Sequence, residues 1–124
     1  MWGVNKVVLI GHLGKDPEIR RLADNVSVVS FPLATSEQVT LAESRVEETE
    51  WHNIIMWRSL ADAAHKFLKK GKLVYLEGKL RTRSFEDKQG VKRSITEVLA
   101  ESFTILGRNS DFTPDENMTY KHTD

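Results

Sequence analysis

The run Thr49-Glu50-Trp51-His52-Asn53-Ile54-Ile55-Met56-Trp57 constrains the fold most, because as a strand it is apolar on both faces. Side chains alternate across a strand, so one face carries Trp51, Asn53, Ile55 and Trp57 and the other His52, Ile54 and Met56. A chain of 124 residues builds one core. Only one of these faces can enter it, and two tryptophans on the other call for something flat to stack there. The run from Leu73 to Phe85 alternates in the same way. Its odd positions read Leu73, Tyr75, Glu77, Lys79, Arg81, Arg83 and Phe85, and its even positions Val74, Leu76, Gly78 and Leu80. Aromatic rings beside cations on one sheet face meet the needs of single-stranded nucleic acid: rings stack on bases and cations follow phosphates.

The surrounding chain supplies more strands. Val4 to Leu13 reads as the first, broken by Gly14-Lys15-Asp16-Pro17, with Ile19 to Leu22 extending it or bending back. Val26 to Ser36 reads as the second, and Pro32, lacking an N–H, requires an edge or a bulge there. Residues 37–48 are a polar connection, expected as a mobile hairpin arm. Ser59 to Lys70 is the helix, with Leu60, Ala64, Phe67 and Leu68 on one face. Ser59 suits its start, and Lys69 and Lys70 suit its end before Gly71. Leu73 to Phe85 and Arg93 to Leu106 form a last hairpin. Three strands, a helix and two strands predict an all-β chain: an OB-fold, a five-stranded Greek-key β-barrel with one α-helix between strands 3 and 4. Residues 1–107 are expected to form this domain, and the polar residues 108–124 a disordered tail.

Charge sharpens the functional reading. The formal net charge is zero, which argues mildly against a nucleic-acid partner, but the distribution is uneven. Residues 51–108 hold 12 lysines and arginines against 6 acids, while residues 1–50 hold 5 against 8. The basic excess shares its segment with Trp51 and Trp57. The chain has no cysteine, hence no disulfide or thiolate metal site. No apolar stretch approaches the roughly 20 residues of a membrane span. A strand that begins at once leaves no room for a leader, so a cytoplasmic location is expected.

Each candidate residue has a plainer alternative. Trp51, Trp57 and Phe85 serve as stacking platforms, or else fill a core or a subunit contact. Ile54 and Met56 already supply the inward contacts, which favours stacking. Lys79, Arg81 and Arg83 pair with phosphates, or else form a solvated strand face. Like charges two residues apart repel unless an anion sits among them, and Phe85 beside them favours the phosphate reading. Lys69 and Lys70 extend the basic track or merely complement the helix end. His52 faces the way of Ile54 and Met56, toward a core edge or a subunit contact. Asp62 with His65 and Glu50 with His52 are pairs, too few for a metal or acid–base site, so no catalysis, metal or cofactor is expected. The rival reading is an OB-fold assembly or scaffold protein that uses the same face for protein contacts; single-stranded RNA is a further possible ligand.

Five blocks in order carry a family resemblance: Gly3-Val4-Asn5-Lys6-Val7, Gly11-His12-Leu13-Gly14-Lys15-Asp16-Pro17-Glu18, Leu33-Ala34-Thr35-Ser36-Glu37, Thr49-Glu50-Trp51-His52, and Tyr75-Leu76-Glu77-Gly78-Lys79-Leu80-Arg81-Thr82-Arg83. Over about residues 3–107 the chain resembles the bacterial single-stranded DNA-binding protein family, homotetrameric OB-fold proteins. The resemblance implies single-stranded DNA as partner, no enzymatic activity, and roles in DNA replication, recombination and repair. It places Trp51, Trp57 and Phe85 at base-stacking sites, Arg81 and Arg83 on the basic strand, and Lys6, Arg20, Lys69 and Lys70 along the DNA path. It also puts the first strand, with Val4, Lys6, Val8 and Ile10, in a subunit interface that His52 adjoins. Two departures stand out. Val39 occupies the position of a further stacking tryptophan, and Asp111, Phe112, Pro114, Asp115 and Glu116 only echo the acidic tip that recruits replication and repair proteins.

Overall fold

The computed structural model of the chain describes residues 1–107 and 119–121. The elements follow in the order β1 (Val7–Leu13), β2 (Glu18–Arg21), β3 (Ser27–Leu41), β4 (Ser44–Trp57), α1 (Arg58–Phe67), β5 (Leu73–Glu86), β6 (Lys92–Leu106) and β7 (Thr119–Lys121), with one 3-10 turn over Ala23–Asn25. β1, β5, β6, β4 and β3 pair in that order, and β3 returns to β1 through His12↔Ala34 and Leu13↔Leu33. That return closes a five-stranded barrel, with α1 between its third and fourth strands. It is the OB-fold that the element order predicts. Closure presses two backbones together at Gly11, where a Cβ would stand 2.3 Å from the Ala34 carbonyl oxygen.

The inward set follows the alternation. Val29, Phe31 and Leu33 of β3, Ile54 and Met56 of β4, and Val74 and Leu76 of β5 are buried. β6 contributes Val98 and Ala100, then Phe103 and Ile105; the change of parity follows the register shift beside Glu77/Gly78. Leu60, Ala61 and Ala64 of α1 close the barrel end. Each large side chain withdrawn from water contributes about 1.5–3 kcal/mol, so this core fixes which face of β4 is left outside.

Several elements depart from the sequence expectations. β1 begins at Val7 rather than Val4, and ahead of it Asn5 pairs through its side chain. Of the two courses open to the segment after Pro17, Glu18–Arg21 takes the second, bending back as a strand against Ser27–Ser30. Pro32 sits on neither an edge strand nor a bulge: it faces the gap where β3 leaves β2 after Ser30 and meets β1 at Leu33. Its absent N–H therefore breaks no ladder, while its carbonyl accepts the Gly14 N–H at 2.9 Å. Residues 37–48 continue β3 and β4 as a regular hairpin turning at Ala42, φ +55°. α1 ends at Phe67, so Lys69 and Lys70 lie beyond it, and its N-cap position is Trp57 with no side-chain cap, not Ser59.

Leu80 shares the parity of buried Val74 and Leu76 but is 51% exposed, because β1 stops pairing with β5 at Gly78. Within the expected disordered tail, Thr119–Lys121 instead pairs with Ser102–Thr104. There Tyr120 stacks on Phe67 and Phe103 at centroid distances of 5.2 and 5.0 Å. The remainder of the expected tail, with Asp111, Phe112, Pro114, Asp115 and Glu116, lies outside the described residues.

Candidate nucleic-acid interface

Trp51 is the most exposed aromatic on the barrel wall, at 62%. With Ile54 and Met56 inside, β4 must turn Trp51 outward. Its indole lies against the loop after β1. A Cβ on Gly14 would stand 2.5 Å from Cζ3 and 2.9 Å from Cη2 of the ring, with Pro32 Cγ at 3.4 Å. Only glycine lets the ring lie flat there. Read from sequence, Gly14 is merely a strand breaker; its role as the floor under Trp51 depends on β1 meeting β3 where the barrel closes, with Trp51 of β4 reaching across β3. The same loop gathers cations. The Gly71 N–H donates to the Leu13 carbonyl at 2.8 Å, and the Lys70 N–H donates to Asp16 Oδ1 at 2.8 Å. Lys69 and Lys70 are thereby held beside the Trp51 floor.

Trp57, half-buried, borders a groove of about 230 Å³ shared with Arg20, Ile55, Arg81, Arg83, Glu97 and Leu99. Four other strands and the end of β4 converge there: β2 supplies Arg20, β3 supplies Val28, β5 supplies Arg81 and Arg83, and β6 supplies Glu97 and Leu99. Arg20, Lys79 and Arg81 have no side-chain partner among the described residues. Arg83 differs. Its Nε donates to Glu97 Oε1 at 2.9 Å, and its guanidinium lies 5.7 Å from the Phe85 ring centroid. The anion that relieves the repulsion along β5 is therefore Glu97, a residue of this chain, 9% exposed and opposite Arg81 in register. Sequence alone does not single out Glu97, because a lone acid in a strand carries no signal until its cross-strand neighbour is known. The pairing also keeps Arg83 and Phe85 together, a cation over a ring.

Lys6, unlike Lys79 and Arg81, is already matched by an acid. Its Nζ meets Glu77 Oε1 at 2.5 Å, and Glu77 Oε2 accepts the Tyr75 hydroxyl at 2.7 Å. The ammonium and the phenol both hydrogen-bond the carboxylate. Lys6 first, then Tyr75, hold Glu77 below its ordinary pKa, while Glu77 in turn raises both Lys6 and Tyr75. This cluster flanks Val8 and Ile10, which are exposed on the outer face of β1, with Val4 exposed ahead of them. His52 is half-buried and shares a 2.8 Å hydrogen bond between Nε2 and Thr35 Oγ1. Among the described residues no group of three His, Asp or Glu side chains could hold a metal, and no helix is long and apolar enough to cross a membrane.

A family model described as the single-strand binding protein family matches residues 4–106. The chain belongs to that family. It is 50% identical over 107 residues to Single-stranded DNA-binding protein 1 of Chlorobaculum tepidum, covering 85% of this chain and 66% of that protein. Against the single-stranded DNA-binding protein of Neisseria meningitidis it is 45% identical over 109 residues, 87% of this chain and 63% of the other. It thus spans just under two-thirds of the length of these curated relatives. A solved structure of Plasmodium falciparum SSB in complex with ssDNA matches with a TM-score of 0.78 at 30% identity, covering 86% of this chain and 98% of that one.

Against this family background Val39 takes on a structural meaning. It pairs opposite Val46, whereas Ala34 pairs opposite Trp51, so register places Val39 on the other side of the hairpin from Trp51. The Trp51 side of this single-strand binding family member continues along the arm as Ser36 and Thr49, Gln38 and Glu47, then Thr40 and Arg45.

Proposed function

We propose that this chain binds single-stranded DNA without sequence preference, as a coat and not as a catalyst. Bases stack on Trp51, Trp57 and Phe85; Arg20, Lys79 and Arg81 follow the phosphates, with Lys69 and Lys70 beside Trp51. Arg83 contributes through Phe85 and Glu97 more than as a free charge, and Lys6, already matched by Glu77, acts in the interface set. Sequence tolerance follows because every base offers a π-face. The observation that carries the reading is Trp51: a large apolar ring held in water on a glycine floor, on a barrel whose β2 and β5 carry the unmatched cations Arg20, Lys79 and Arg81.

Residues 1–107 form the binding domain in this proposal, a homotetramer that pairs through Val4, Lys6, Val8 and Ile10 with His52 nearby. It works in the cytoplasm during replication, recombination and repair, with no cofactor. The test is a titration of intrinsic tryptophan emission with oligo-dT at two salt concentrations, alongside sedimentation of the free protein. Saturable quenching that weakens with salt, on a tetramer, is expected. Emission that ignores DNA at low salt would transfer the Trp51 face to a protein partner and sink the proposal.

A further inference from the structure

The first six residues lie outside the barrel ladder, yet their base is fixed. Asn5 Nδ2 donates to the Leu80 carbonyl at 2.8 Å, and Asn5 Oδ1 accepts the Leu80 N–H at 2.9 Å. These backbone groups lie on the edge of β5 away from β6, just past Gly78 where β1 pairing ends. Lys79 and Arg81 flank the attachment point. Trp2 is three residues upstream. At about 3.3–3.6 Å per residue, its Cα cannot stray more than about 11 Å from that of Asn5. Trp2 is 100% exposed, with Met1 equally open. A Cβ on Gly3 would meet nothing within 4 Å. No aromatic or core contact among the described residues uses the Trp2 ring.

We propose that Trp2 is a further base-stacking residue, taking a nucleotide on the β5 side of Arg81 while Trp57 takes one on the β6 side. The inference rests on the single-stranded DNA reading above. A strand that leaves Trp57 and passes Arg81 crosses β5 toward the edge where Asn5 is attached. An indole tethered within reach there, beside two cations without side-chain partners, has the composition of a stacking site. Asn5 is the positioning residue: its two hydrogen bonds decide which edge Trp2 serves.

A protein with Trp2 as its sole tryptophan, W51F/W57F, tests this, since phenylalanine keeps a ring at both other sites. Binding of an end-labelled dT oligonucleotide is followed by polarisation while Trp2 emission is recorded. Solvent-like emission, quenched over the same range in which the oligonucleotide binds, is expected. Trp2→Ala in the otherwise native chain should weaken binding on the order of tenfold, and Asn5→Ala should give part of that loss. Binding by polarisation with unchanged Trp2 emission overturns the inference and leaves the broader function standing. Blue-shifted emission that DNA does not alter overturns it too, and assigns Trp2 to a contact between copies. If the native chain fails to bind the oligonucleotide, the functional reading itself fails.

Discussion

Two long hairpins leave this barrel, and they have the same secondary structure but opposite chemistry. The β3–β4 arm carries Glu37, Glu43, Glu47, Glu48 and Glu50 against Arg45 alone. The β5–β6 arm carries Lys79, Arg81, Arg83, Lys88, Lys92 and Arg93 against Glu86, Asp87 and Glu97. In the first, Glu37 stands directly opposite Glu48; in the second, Arg81 stands opposite Glu97. Their turns differ as well. Ala42 adopts a left-handed φ in the first, whereas Asp87 organises the second by accepting the Gln89 and Val91 N–H groups and Arg93 Nε. The lesson is that a protruding hairpin is only a platform. Cross-strand register decides whether its charges cancel, repel or remain available to a polyanion, and here only the β5–β6 arm carries an excess of cations along its length.

Trp51 is the most sensitive position, since it lies at the root of the acidic arm yet rests on the Gly14 loop that holds Lys69 and Lys70 nearby. Trp51→Ala should cost roughly 1–3 kcal/mol of oligo-dT binding with the fold intact, checked by polarisation titration and circular dichroism. Gly14→Val should produce much of the same loss without touching any aromatic residue, because the new side chain lifts the indole. If Gly14→Val binds like the parent, the glycine floor plays no part.

Arg81 and Arg83 separate free from paired cations. Arg81→Ala should lower the slope of log affinity against log salt by about 0.7, the value for one phosphate contact on a single strand. Arg83→Ala should change that slope less, because Glu97 already neutralises it, and should instead weaken binding through Phe85. Equal slopes for the two variants would contradict that distinction.

The acidic arm should respond in the opposite sense. Glu48→Gln removes the repulsion with Glu37 and should stabilise the protein by roughly 0.2–1 kcal/mol in urea unfolding. Its effect on DNA affinity should be smaller than that of Arg81→Ala and favourable, since a repelling charge has gone.

The smallest effect concerns pH, in the Lys6–Glu77–Tyr75 cluster that belongs to neither arm. Glu77 is held below its ordinary pKa, so its contribution is present above the usual carboxylate value and is lost as pH falls through the lowered one. Lys6 is raised, so its contribution is present below the usual lysine value and is lost only as pH climbs past the raised one. Stability should therefore be flat around neutrality and fall in acid. Glu77→Gln should make the acid limb shallower; an unchanged limb in urea midpoints at pH 7 and pH 3 would show that the cluster contributes nothing.

Much of this was legible in the sequence because it depends on periodicity alone. Strand alternation identifies the outward tryptophans, and the helical spacing of Leu60 and Ala64 locates α1 to within a few residues. Alternation fails where pairing ends, which is why Leu80 leaves the inward set beyond Gly78. Pro32 is unpredictable from one strand, since the gap it occupies exists only between two neighbours of β3. Thr119–Lys121 is too short to announce itself and becomes a strand by docking on β6, with Tyr120 between Phe67 and Phe103.

The amino-acid order by itself determined the OB-fold succession of elements, the sorting of apolar from polar faces, and the concentration of aromatic and basic residues on β4 and β5. These are local properties, set by the two-residue repeat of a strand and the 3.6-residue repeat of a helix. Tertiary structure alone decided that Gly14 underlies Trp51, that Glu97 matches Arg83, that Lys6 is matched by Glu77, and that Asn5 ties the N-terminal segment to Leu80. Each is a contact between residues 14 to 75 positions apart in the chain. Closing the barrel brings such pairs together, and electrostatic and steric matching acts through distance in space, to which sequence separation is no guide.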